Sequence, residues 1–104
     1  MGFNFEDIIK YVRKGKIFCD GDTYYKIDRK SLEIYYWEEC YYQEDTGKIA
    51  GGYWEDVYYE PYSFLIELLR GNWFIVSQEQ FNDYKRKDRE KAKAIKKLKE
   101  VEGV

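Results

Sequence analysis

The chain has 104 residues, of which 37% are charged and 20% aromatic, with twelve tyrosines and a formal net charge of −2. That length fits one compact domain, able to bury roughly two-thirds of its unfolded surface without a covalent or metal staple. Histidine is absent, which removes the usual general base, the usual Ser or Cys triad partner and the commonest transition-metal ligand, so no enzyme activity is expected.

The first predicted element is a short amphipathic helix. Asn4 suits its N-cap, Glu6 and Asp7 stand beside the positive end of the helix dipole, and Phe5, Ile8, Ile9 and Val12 form one apolar stripe. Arg13 and Lys14 suit its last turn and Gly15 its stop. Lys16 to Cys19 reads as a strand, with Ile17 and Cys19 on one face and Phe18 on the other. Asp20-Gly21-Asp22 predicts a hairpin turn, Thr23 to Ile27 the return strand, and Asp28 to Ser31 a second turn. Leu32 to Gln43 predicts one long aromatic-rich strand, residues 44–52 a loop, and Tyr53 to Glu60 the next strand. Pro61 ends that strand or opens a second helix at its first position. Phe64, Leu65, Leu68 and Leu69 give that helix its stripe, and Gly71 closes it. A short strand over Trp73 to Val76 follows. Ser77 and Gln80 then form a capping box for a long helix reaching about Val101, with Phe81 and Tyr84 packing on the domain. From Lys85 to Val101 the only apolar residues are Ala92, Ala94, Ile95, Leu98 and Val101. So thin a stripe suits either a solvated helix or an oligomer seam.

These elements predict an α+β fold: an antiparallel sheet of about five to six strands, two short packing helices and a long C-terminal helix. Residues 1–76 read as the compact domain, carrying an aromatic and acidic hairpin over 36–60, and residues 77–104 as the charged helix. The charge is divided in the same way. Residues 1–76 carry nine Lys/Arg against fourteen Asp/Glu, and residues 77–104 nine against six. Because bases and acids interleave along the helix, it makes a poor phosphate clamp, and direct DNA or RNA binding is not expected. Cys19 and Cys40 read as free thiols of a reducing compartment, a disulfide being open only if strands bring them together. With no signal-peptide pattern and no long apolar run, no membrane contact and a cytoplasmic location in a host cell are expected.

The most informative stretch is a repeat. Tyr36-Trp37-Glu38-Glu39-Cys40-Tyr41-Tyr42-Gln43 recurs as Tyr53-Trp54-Glu55-Asp56-Val57-Tyr58-Tyr59-Glu60, seventeen residues on. In an antiparallel hairpin with an odd index sum, equivalent positions share a face. Either the rings pack across neighbouring strands, or they form an aromatic and carboxylate surface for a ligand or partner. Taking the Cys40 and Val57 face as core leaves Trp37, Glu39, Tyr41, Trp54, Asp56 and Tyr58 as the recognition surface. Glu38 and Glu39 point to opposite faces and make no catalytic pair, and Asp20-Gly21-Asp22 lacks the ligand series of a calcium loop. No metal or cofactor is expected. Arg13, Lys26 and Arg29 lie around the first helix end and the hairpin after it. They read either as solvated surface or, with nearby Tyr24, Tyr25 and Trp37, as a nucleotide site.

Phe5-Glu6-Asp7-Ile8-Ile9-Lys10-Tyr11-Val12-Arg13-Lys14-Gly15-Lys16-Ile17 resembles the opening helix, Gly-Lys and first strand of small phage anti-defence proteins of the Thoeris anti-defence type. Ser63-Phe64-Leu65-Ile66-Glu67-Leu68-Leu69-Arg70-Gly71-Asn72-Trp73-Phe74-Ile75-Val76 resembles that family's final helix and Trp-bearing strand. The chain departs from the family after the first strand, where Cys19-Asp20-Gly21-Asp22 replaces an Arg and a Trp. The resemblance implies a small α+β phage protein, homo-oligomeric, that counters bacterial immunity by sequestering a nucleotide-derived signal. The residues themselves support a second class: an inhibitor whose acidic aromatic strands imitate nucleic acid and bind a basic host protein, as anti-CRISPR proteins do.

Overall fold

A computed structural model describes residues 3–58 and 60–102. The fold is α+β. Its elements in order are α1 (Phe5–Arg13), β1 (Ile17–Cys19), β2 (Tyr24–Ile27), β3 (Ile34–Glu38), β4 (Tyr41–Gln43), β5 (Lys48–Ala50), β6 (Tyr53–Val57), α2 (Pro61–Arg70), β7 (Phe74–Val76) and α3 (Gln78–Glu102). Five strands form one antiparallel sheet in the order β6-β3-β2-β1-β7, and β4 and β5 form a separate two-stranded ribbon.

Local chemistry sets the boundaries. The Asn4 side chain accepts the Asp7 amide at 2.8 Å and caps α1, and Gly15 leaves the helix at φ +67°. Asp20 Oδ1 accepts the amides of Asp22 and Thr23, and Asp28 Oδ1 those of Lys30 and Ser31, so each hairpin turn is closed by its own carboxylate. Pro61 opens α2. Ser77 and Gln80 cap α3 reciprocally, Gln80 N donating to Ser77 Oγ and Ser77 N to Gln80 Oε1.

The predicted long strand over 32–43 is broken at Glu39 and Cys40, and the predicted loop over 44–52 contains β5, leaving 44–47 as the turn. Gly51 and Gly52 cause the break, with φ of +79° and +78°. A Cβ at Gly51 would overlap the Glu39 carbonyl, and one at Gly52 would press on Cys40 Sγ. The register nevertheless carries across: Trp37 lies opposite Trp54 and Tyr41 opposite Ala50. The second octet's strand ends at Val57, earlier than predicted, and its Tyr59 lies outside the described residues.

Helices cover both faces of the sheet. Ile8 of α1 and Phe64 and Leu68 of α2 pack on Phe18 and Ile34. On the other face Phe81 of α3 packs on Ile17 and Trp37. Beyond Phe81 the helix runs along the β4–β5 ribbon, burying Ala92 and pairing Lys99 with Glu44 at 3.1 Å. Its 25 residues draw the molecule out to 56 × 24 × 23 Å. Ile95, Leu98 and Val101 remain on its exposed side.

Candidate functional site

The octet hairpin has two faces. Trp37 and Trp54 form a cross-strand pair with ring centroids 5.5 Å apart. Phe81 meets Trp37 edge-on at 5.2 Å and stacks on Trp54 at 4.9 Å. Trp37 is only 8% exposed, and its indole N–H donates to Asp88 Oδ2 at 3.2 Å. The same oxygen accepts the Cys40 amide at 2.9 Å, just where the ribbon breaks. The expectation that this face is the open recognition surface is therefore corrected: α3 covers it, and Trp37 and Trp54 are core and near-core residues. Around them, Glu39 is exposed and accepts the Tyr84 hydroxyl at 3.0 Å, which with burial raises the Tyr84 pKa. Asp56 is exposed near the end of β6, and Tyr58 beyond it is fully exposed.

The opposite face carries Tyr36, Glu38, Tyr53 and Glu55. Tyr36 stands opposite Glu55, and Glu38 opposite Tyr53, so phenols and carboxylates alternate as a two-by-two checkerboard. Tyr53 is 51% exposed, and none of the four belongs to either core cluster among the described residues. Tyr36, Glu38 and Glu55 are half-buried, and the same face runs on to half-buried Val57 opposite buried Ile34, where the core begins. The carboxylates act on the rings. A hydrogen bond to Glu38 is the main cause raising the Tyr36 pKa, and the charge of Glu55 the main cause raising that of Tyr53. Tyr41, 46% exposed, adds a smaller contribution at Tyr53 from the ribbon. These four residues were missed as a site because an aromatic and acidic alternation looks the same from either side.

The three cations singled out from sequence are divided. The ammonium of Lys26 lies over Trp54 at 4.8 Å and over Tyr35 at 5.3 Å, on the α3 face. Arg13 and Arg29 instead come together at a cavity of about 290 Å³ between α1, α2 and the β2–β3 turn.

Cys19 and Cys40 are both free thiols. Burial is the largest cause raising each pKa, and Asp88 adds to it at Cys40. Less thiolate is therefore present at a given pH than on a free thiol. Alkylation by iodoacetamide at mild alkaline pH is expected to be slow at both, with half-buried Cys40 ahead of buried Cys19, and fast at both in denaturant; peptide mass mapping over time checks the order. Among the described residues no group of three or more His, Cys, Asp or Glu is placed to hold a metal ion, and no helix is long and apolar enough to cross a membrane.

No protein-family description, curated protein or solved structure matches this chain.

Proposed function

We propose that this protein acts by binding rather than by chemistry, presenting the Tyr36/Glu38/Tyr53/Glu55 face to a basic protein as an acidic, aromatic inhibitor. The observation that supports this is the register of β3 on β6, which gathers two carboxylates and two phenols at the end of the sheet face beyond Ile34, outside both core clusters among the described residues. Residues 33–60 hold eight carboxylates and one lysine, so the negative field around that face is broad. Tyrosine adds rigid contact area and a hydrogen-bonding tip at low entropy cost, which suits an interface centre. Such a surface steers association with a cationic partner and loses strength as salt rises.

Sequestration of a nucleotide-derived signal, the reading implied by the phage anti-defence resemblance, draws less support from the geometry. The cations divide between the two faces, and Trp37, expected to lie against a base, is buried edge-on against Phe81. The setting of a phage protein acting against bacterial immunity in the host cytoplasm rests on that resemblance.

The test is a charge reversal on the open face. The double variant Glu38→Lys/Glu55→Lys changes half-buried side chains outside both core clusters, so it should stay folded, with a thermal midpoint somewhat below the parent for the lost Tyr36–Glu38 hydrogen bond. Tagged parent protein should retain a basic host protein at low salt and release it at high salt, and the variant should retain none of it. Equal recovery of that protein by the variant would sink the proposal.

A further inference from the structure

The cavity near Arg13 and Arg29 opens on a part of the molecule that the Tyr/Glu face does not use. Its walls are aliphatic: Ile8, Ile9 and Val12 from α1, Ile34 from β3, Leu65 from α2 and Leu32 from the β2–β3 turn. Its volume, about 290 Å³, stands at the lower edge of small-ligand sites. Among the described residues no carboxylate lines it.

The mouth has the opposite character. Arg13 ends α1 and Arg29 sits in the β2–β3 turn, and both reach the cavity. Among the described residues neither forms an ion pair. The carboxylates beside that turn are engaged elsewhere: Asp28 accepts the Lys30 and Ser31 amides, and Glu33 accepts the Tyr35 hydroxyl at 2.7 Å. Each guanidinium offers a planar fork matched to a carboxylate.

Leu32 adds a third observation. It is a non-glycine residue with positive φ, at 61°, a conformation costly for a branched side chain. The turn holds it there through Leu32 N to Asp28 O at 2.8 Å and Asp28 N to Glu33 O at 2.9 Å. The consequence is an apolar side chain set into the cavity wall close to Arg29.

We infer that this cavity binds a small amphipathic anion, with an aliphatic body between α1, α2 and Leu32 and a carboxylate held by Arg13 and Arg29. The lining argues for an aliphatic chain over a nucleobase, because Phe5 is its only aromatic ring among the described residues. The mouth argues for a carboxylate over a neutral apolar molecule, since a neutral occupant leaves both cations uncompensated.

Calorimetry on the full chain tests this with octanoate, octanol and acetate as probes. Octanoate is expected to bind, octanol at least tenfold more weakly, and acetate without measurable heat. Arg13→Gln/Arg29→Gln changes exposed side chains, so its thermal midpoint should match the parent. It should lose at least tenfold in octanoate affinity while octanol is unaffected. Leu65→Trp should fill the cavity and abolish binding of both; should it fail to fold, the arginine pair alone decides. Equal affinity for octanoate and octanol would overturn the role of the mouth, and so would undiminished octanoate binding by the arginine variant. An absence of octanoate binding, including one in which the protein sediments as a dimer closed over this cavity, would overturn the site.

Discussion

Replacing Phe81 with alanine is expected to destabilise the protein by about 3–5 kcal/mol, the range for deleting a buried phenylalanine ring. Phe81 is 1% exposed and holds α3 to the sheet through three rings, Trp37, Trp54 and Tyr24, with Tyr84 of the same helix stacked beside it, all within 6.0 Å. Its loss removes the buried area of the ring and leaves a cavity that two tryptophans cannot both close. Native domains are stable by only about 5–15 kcal/mol, so a third or more of the total is at stake. Urea unfolding should show a lower midpoint at similar slope, and the tryptophan emission should shift toward that of solvated indole. The control lies on the same helix. Leu98→Ala, on the exposed side, should change stability by less than about 0.5 kcal/mol. Equal effects of the two variants would contradict the docking of α3.

Asp88→Ala is expected to cost about 2–4 kcal/mol, because it strands a buried and a part-buried donor at once. Asp88 is 7% exposed, and a single carboxylate oxygen serves both the Trp37 indole N–H and the Cys40 amide. The second contact matters beyond its own strength. The ribbon breaks at Cys40, and Gly52 N donating to Glu38 O at 2.8 Å is the backbone bond beside that break. Asp88 thus ties α3 to the point where the hairpin leaves the main sheet. Asp88→Asn keeps an acceptor oxygen of the same shape and should cost less, about 1 kcal/mol. A double-mutant cycle with Trp37→Phe separates the two bonds: removing the indole N–H first should reduce the Asp88→Ala penalty. Full additivity would show that the two groups do not interact.

Much of the fold was legible because its signals are local. Asn4 before the stripe of α1, Gly15 after it, the Asp20 and Asp28 turns and the Ser77/Gln80 box each act within a few residues, and each makes the bond its type suggests. The hairpin meets the odd index sum, since Trp37 lies opposite Trp54, so equivalent octet positions share a face. Which hairpin face is buried was not legible. Both faces mix rings with acids, so alternation separates two sets of residues without ranking them. The ranking comes from Phe81, whose packing on the domain is expected without the face it would choose, and from Asp88, in the part of the helix that reads as solvated or as an oligomer seam. Gly51 and Gly52 misled in a related way: paired glycines suggest a loop, whereas here they let Glu39 and Cys40 approach closely before pairing resumes at Ala50. Arg13 and Arg29 were visible as a cationic cluster. The aliphatic cavity between them depends on where Pro61 and Leu65 of α2 come to rest, a long-range contact that no window along the chain contains.

The central claim is that the Tyr36/Glu38/Tyr53/Glu55 face is the binding surface. Amide chemical-shift mapping of the isotope-labelled protein, titrated with the basic partner that it captures, tests this most directly. The predicted result is a set of perturbations centred on residues 36, 38, 53 and 55, lost in Glu38→Lys/Glu55→Lys and weakened at high salt. Perturbations confined to the exposed side of α3 or to the Arg13/Arg29 cavity, with the open face unchanged, would contradict it.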